Sequence, residues 1–383
     1  MRDLIEFIRD LYPDQDRIAL HEPVFAGNEL AYTQQAIEST FVSSVGAFVD
    51  RFESELANYT GAERAVAVVN GTSALHVALH AIDVGADDLV ITQSFSFVAT
   101  ANAISYTGAE PVFIDIERST LGMSPEALEG FLDSACDRDD NGKTVHKTTG
   151  KVIKACIPMH TFGHPCRIDV IRTICDDWGI ILIEDAAESM GSTFKGQHTG
   201  TFGSIGAVSF NGNKIITAGA GGALLANHAI GAELKHLTTT AKEAHPWGFR
   251  HDQLGFNYRM PNLNAALACA QLEQLDRFVV NKRLIAEHYQ TICQKLGVEF
   301  ISEPDNARSN YWLNAMLTSS RDERDKTLHS MHDNGILARP GWDPLHTLPM
   351  YENCMTGDDL TCTTEVFDRL INLPSSPMSS LTE

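Results

Sequence analysis

At 383 residues the chain is long enough for a large core and two domains, and its formal charge of −21 excludes general nucleic-acid or anionic-membrane binding, which depend on clustered Lys and Arg. Eight scattered cysteines with no CxxC pair carry neither a zinc knuckle nor a redox motif and read as reduced cytosolic thiols. The first residues include Asp3, Glu6 and Asp10 and no long apolar run, so a signal peptide or membrane anchor is not expected there and the protein is expected in the cytoplasm.

Leu4, Ile5, Ile8 and Leu11 fall at helical spacing and predict a short helix packed on the main body. From residue 64 to 185 apolar runs alternate with helical patterns. Strands are expected at 65–69, 89–91, 111–114, 152–157 and 180–183, with helices after Thr72, from Ser96, near Pro125 and from Asp169. That alternation is the signature of an α/β domain with a mainly parallel sheet. The polar stretch DRDDNGKTVHKTTG, up to Gly150, has the composition of a solvated surface loop. Ala223, Leu224 and Leu225 look like a further strand. A long helical pattern begins after Pro261 and runs through Ala265, Ala268, Leu272 and Leu275 towards Tyr289. It bridges to a smaller C-terminal α+β domain, which divides the chain into 1–260, an N-terminal arm with the large domain, and 261–383, the bridging helix with the small domain.

Buried parallel strands deliver polar residues into a crevice at their carboxyl ends. The aliphatic run 180–183 delivers Glu184 and Asp185 in this way. An ionised carboxylate after such a run needs a partner: a protonated ring nitrogen would serve, and the alternative is a hydrogen-bonded structural aspartate. Lys214 sits among Asn213, Ile215 and Ile216, and a half-buried lysine is a usable amine nucleophile. A carboxylate for a pyridinium nitrogen and a lysine for a Schiff base are the two fixtures of a pyridoxal phosphate enzyme. Asn70-Gly71-Thr72-Ser73 opens a helix whose N-terminus favours a phosphate, the alternative being a simple N-cap by Thr72 or Ser73. Ser209 offers a hydroxyl to the same phosphate. Phe97, just beyond a strand, is either a cover for a planar ring or a core residue. Gly219-Ala220-Gly221-Gly222 leads into a strand and not a helix, so it is no dinucleotide fingerprint. His160 and His164 are separated by helix breakers, there is no HExxH, and no metal site is expected.

Together, NGTSALH (70–76), SFVATANAI (96–104), EDAAESMG (184–191), SFNGNKIITAGAGG (209–222) and NYRMPNLNAALACAQL (257–272) resemble the sugar aminotransferases of the DegT/DnrJ/EryC1/StrS family, pyridoxal phosphate (PLP) enzymes of fold type I. The resemblance runs from Glu22-Pro23-Val24 to Asn372-Leu373-Pro374-Ser375. It implies Lys214 as the Schiff-base lysine, Asp185 on the pyridine nitrogen, Phe97 stacked on the ring, and Gly71, Thr72 and Ser209 as the phosphate cradle. It further implies that Asn257 reaches the phosphate of the neighbouring subunit's cofactor, in a homodimer with shared active sites. Glu188 stands beside the cofactor where many members have His or Gln, and GAGG replaces the more usual GEGG.

Within the family, HEPVFAGNE (21–29), STFVSSVG (39–46) and PMHTFGHP (158–165) resemble the branch leading to bacillosamine or legionaminic acid. This implies transfer of an amino group from L-glutamate to C4 of a 4-keto-6-deoxy-2-acetamido sugar linked to UDP or, second, GDP, in polysaccharide biosynthesis. Arg259, Arg339 and His346 are the candidate contacts to that nucleotide sugar. The competing expectations are a 3-keto sugar aminotransferase, a PLP-type sugar dehydratase, which carries histidine where this chain has Lys214, and a catalytically silent regulatory homologue.

Overall fold

The computed structural model describes residues 2–378. Its centre is a ten-stranded sheet. Ile205–Ser209, Ile181–Asp185, Val152–Ile157, Asp88–Gln93, Glu110–Ile114 and Met355–Thr356 lie side by side in that order, all parallel. Beyond Ile205–Ser209 the sheet continues through Gly222–Ala226, antiparallel to it, to the edge strand Arg64–Val68. The expected α/β fold with a mainly parallel sheet is the one observed.

Strand Asp88–Gln93 shows why these segments read as continuous apolar runs. Successive side chains point to opposite faces, so Val90 enters one core cluster with helices Gly71–Ala81 and His228–Thr238. Leu89 and Ile91 enter another, with Pro125–Ala135 and Ile168–Trp178. With helices on both faces, neither face can be polar. The parallel strands all end at one edge, which gathers Gln93, Ile157, Asp185 and Ser209 there.

A four-stranded antiparallel sheet follows in the C-terminal part, in the order Glu299–Phe300, Asn314–Leu317, Leu370–Leu373, Arg339–Pro340. The N-terminal helix Arg2–Leu11 packs here: Leu4 and Ile8 share a cluster with Ile285, Tyr289, Met331 and Ile371. Its seat is therefore this part of the molecule and not the large sheet. Among the described residues no helix is long and apolar enough to cross a membrane.

Two segments differ from their sequence reading. The helical pattern after Pro261 is two helices, Asn262–Leu272 and the 22-residue Leu275–Leu296. At the break, the Glu273 carboxylate accepts hydrogen bonds from Asn28, Tyr32 and Arg51, and Gln274 Nε2 donates to Glu29. These polar side chains turn towards the N-terminal arm and interrupt the apolar stripe. The polar stretch after Cys136 is a hairpin, with Cys136–Arg138 paired to Thr144–His146. Asp139 closes its turn by accepting from the Asn141 and Lys143 N–H groups at 2.9 and 2.8 Å, and Gly142 takes a φ of 76°.

Candidate active site

Asp185 ends its strand with a carboxylate that is only 3% exposed. Thr100 Oγ1 donates to Oδ2 at 2.6 Å, and the Ala187 N–H donates to Oδ1 at 3.1 Å. Burial raises the pKa of this group; the two hydrogen bonds, then Lys214 and His160, oppose the rise. Its neighbour Glu184 has a different task. It points to the other face of the strand, where it takes His160 Nε2 at 3.0 Å and the N–H groups of Gly200, Phe202 and Gly203. Of the acidic pair, one member ties loops together and the other faces a cavity.

Lys214 lies in the turn after strand Ile205–Ser209, its N–H bonded to the Asn211 carbonyl at 3.0 Å. The side chain is 13% exposed, and Nζ stands 3.2 Å from Glu188 Oε1. Nζ also lies 4.0 Å from the ring centroid of Trp312, whose indole N–H donates to the Asn213 carbonyl at 2.7 Å. Glu188 is buried, and its Oε2 accepts the Phe162 N–H at 2.9 Å. Burial pushes this carboxyl up to about 7 against the pull of Lys214 and the Phe162 N–H.

The cap of helix Gly71–Ala81 is Asn70, whose Oδ1 accepts the Ser73 N–H at 2.7 Å. Thr72 and Ser73 are therefore not the caps, and Thr72 is left to face the cavity. A Cβ on Gly71 would come within 3.0 Å of Ser209 Cβ and 3.3 Å of its Oγ. The glycine thus keeps a small concavity open between the first helical turn and the Ser209 hydroxyl, at a helix end that favours an anion.

Gly71, Thr72, Phe97, Asp185, Glu188, Ser209 and Lys214 all line one cavity of about 360 Å³. Phe97 is 51% exposed at its mouth. Asn257, Arg259, Arg339 and His346 are not among its lining residues. Asn257 is exposed and accepts from Arg259 Nη2 at 2.9 Å. His346 Nδ1 is 2.7 Å from Ser94 Oγ, and Arg339 lines an adjoining cleft. Three further lining or supporting residues were not singled out from the sequence: Thr100, Trp312 and Trp342. The tryptophans come from the C-terminal part, and the only signal for them is that Trp is scarce in this chain, with 4 in total.

The residues present fit PLP. A buried carboxylate suits a cationic ring nitrogen, the glycine-kept concavity suits a phosphate, and an amine stands in the same cavity. Metal-binding groups of three or more His, Cys, Asp or Glu are absent among the described residues.

Residues 24–383 match the model of the DegT/DnrJ/EryC1/StrS aminotransferase family. The chain is 38% identical over 371 residues to EpsN of Bacillus subtilis, named as a pyridoxal phosphate-dependent aminotransferase, covering 96% of this chain and 92% of that protein. It is 37% identical over 366 residues to the GDP-perosamine synthase of Vibrio cholerae, covering 94% of each. A crystal structure of a DegT DnrJ EryC1 StrS aminotransferase from Brucella abortus superposes with a TM-score of 0.83 at 26% identity, over 93% of this chain and 92% of that one. On this fold, this cavity and these likenesses, the chain belongs to the DegT/DnrJ/EryC1/StrS aminotransferase family and has the fold type I architecture.

Proposed function

We propose that the chain is a PLP-dependent nucleotide-sugar aminotransferase that moves an amino group from L-glutamate to C4 of a UDP- or GDP-linked 4-keto-6-deoxy sugar, with a 2-acetamido sugar as the form its motifs favour. The observation that carries this reading is the convergence of Lys214, Asp185 and the Gly71, Thr72 and Ser209 concavity on one cavity. The name of the Vibrio cholerae relative supports a nucleotide sugar and brings the GDP carrier level with UDP. The name of the Bacillus subtilis relative supports the cofactor.

When bound, PLP supplies a cationic ring that accepts the electrons of a breaking C–H bond. The chain's own residues do the rest. Asp185, buried and held by Thr100 and Ala187, would keep a proton at the ring nitrogen by facing it with a negative charge. Lys214 would provide the attaching amine and, once free, the base that moves a proton between the two carbon atoms on either side of the transferred nitrogen. Glu188 holds Lys214 by Oε1, and Trp312 packs its ring against the amine. Thr72, Ser209 and the amides at Gly71 hold the phosphate.

The division at residue 260 sets the cavity at a boundary, since Trp312 and Trp342 belong to the C-terminal part. Asn257 serves the partner subunit's site in a homodimer; its exposure and its position outside its own chain's cavity support this. The test is incubation with L-glutamate and 4,6-dehydratase products carried on UDP and on GDP, with the product located by mass spectrometry and NMR. A 4-amino sugar nucleotide is expected. A 3-amino product overturns the regiochemistry, and no amination of either form overturns the substrate class.

A further inference from the structure

Asn310 is fully buried and does not line the Lys214 cavity, yet its side chain holds both residues that flank the amine. Its Nδ2 donates to the Glu188 carbonyl at 2.9 Å and to the Met190 carbonyl at 2.8 Å, and its Oδ1 accepts the Trp312 N–H at 2.8 Å. Lys214 Nζ stands 3.2 Å from Glu188 Oε1 and 4.0 Å from the Trp312 ring centroid. One amide thus ties the two together. Two carbonyls require an NH2 group and the Trp312 N–H requires an oxygen, so these partners fix which way the amide faces, and only Asn or Gln carries both functions. The longer Gln has no room. A Cβ on Gly163, which takes a φ of 95°, would already fall 1.8 Å from Asn310 Oδ1.

The backbone on either side is strained. Phe162 and Tyr311 are non-glycine residues with φ of 55° and 46°, left-handed values that persist where surrounding contacts over-determine them and that gather at functional sites. The Phe162 N–H holds Glu188 Oε2 at 2.9 Å, its carbonyl accepts the Leu313 N–H at 3.4 Å, and the Asn310 N–H donates to Ser192 Oγ at 2.9 Å. Segments 161–163, 188–192 and 309–313 therefore close on one another around Asn310.

We propose that Asn310 is a positioning residue for Lys214: it fixes Glu188 and Trp312 relative to each other, so that the amine is held between them only while segment 309–313 is docked. The inference rests on the reading of Lys214 as the attaching amine and adds what keeps it in place. Asn310 touches no reacting atom. Its loss therefore acts on the rate of the steps that Lys214 performs and leaves substrate affinity alone, since a displacement of about 1 Å at a reacting group costs on the order of 100-fold.

The experiment compares wild type with Asn310→Ala, both loaded with PLP and checked by circular dichroism. Asn310→Asp, which keeps the oxygen for Trp312 and loses the NH2 group, carries the same readings where Asn310→Ala does not fold. The single-turnover rate with L-glutamate, followed by cofactor absorbance, should fall roughly 10- to 100-fold, with half-saturation shifted by less than about threefold. The pH midpoint of the bound cofactor's absorbance should fall by about half a unit or more, because a carboxylate and an indole face that drift away no longer favour a protonated nitrogen at Lys214. Asp185 and His21, the other titratable groups near Lys214, are unchanged by the substitution. Combined with Trp312→Leu, the loss should be smaller than the product of the single losses by about threefold or more.

A lowered thermal midpoint with rate and pH midpoint both unchanged makes Asn310 merely structural and overturns the proposal. Strict additivity with Trp312→Leu overturns it, as does a change confined to half-saturation. If wild type does not react with L-glutamate, the donor reading falls and the pH midpoint alone decides for or against Asn310. A cofactor attached to a lysine other than Lys214 overturns both readings.

Discussion

Lys214 and Glu188 form an ion pair of 3.2 Å inside the cavity, and the second oxygen of Glu188 is anchored by the Phe162 N–H at 2.9 Å. The amine is therefore held by a carboxylate that has no freedom to follow it. When Lys214 moves, Glu188 is left buried with a single hydrogen bond, which favours its neutral form.

The burial of Glu188 sets a pH dependence of stability. Burial lifts Glu188 from 4.5 to about 7, so across that window the folded chain keeps a proton that the unfolded chain has lost. Stability from this group is full below about 4.5 and is lost as pH rises towards 7, by about 3 kcal/mol at most. Glu188→Gln removes the titration. The thermal midpoint of the variant, relative to wild type, should climb by a few degrees from pH 5 to pH 7.5. A difference that does not change with pH refutes the burial of a titrating carboxyl here.

Asp185→Asn should keep the cofactor and lose turnover by several powers of ten, because a neutral amide cannot balance a pyridinium and each 1.36 kcal/mol is about tenfold in rate. Thr100→Val, which deletes one 2.6 Å hydrogen bond to the same carboxylate, should cost roughly 10- to 100-fold. Steady-state kinetics on both variants checks the ranking. Turnover of Asp185→Asn within a fewfold of wild type removes Asp185 from its role.

Gly71→Ala places a methyl 3.0 Å from Ser209 Cβ, where the phosphate concavity lies. Helix propensity favours alanine over glycine, which offsets the few tenths of an ångström that the buried Ser209 must give, so the fold should hold. Cofactor affinity, read by absorbance titration, should fall about tenfold or more. Unchanged affinity would place the phosphate elsewhere.

If active sites are shared across a two-fold axis, inactive Lys214→Ala and inactive Asn257→Ala subunits should complement each other, one good site forming per mixed dimer. Activity should recover after subunit exchange to about a quarter of the wild-type level in an equal mixture, as random pairing implies. No recovery after exchange is verified by mass spectrometry counts against Asn257 acting across the interface.

Much of the cavity was legible in the sequence because its parts sit at element ends. Asp185 closes a strand of branched aliphatics, Gly71 opens a helix, and Lys214 follows a buried strand, so local pattern alone brought them to one sheet edge. What stayed hidden depends on contacts between distant segments. Thr100 reaches Asp185 across 85 positions, and Trp312 meets Lys214 from the C-terminal part; neither has a local signature. The break at Glu273 and Gln274 is set by an N-terminal arm more than two hundred residues away. The hairpin after Cys136 was misread as loop because its strands are too short to show alternation, although Asn141-Gly142 marks its turn.

The attachment of the cofactor to Lys214 is tested most directly by reducing the purified protein with borohydride, digesting it, and locating the pyridoxyl mass by peptide sequencing. A single labelled peptide, modified at Lys214, is the expected result, and Lys214→Ala should give none while keeping its circular dichroism spectrum. A label on any other lysine, or an unchanged labelled peptide in Lys214→Ala, contradicts it.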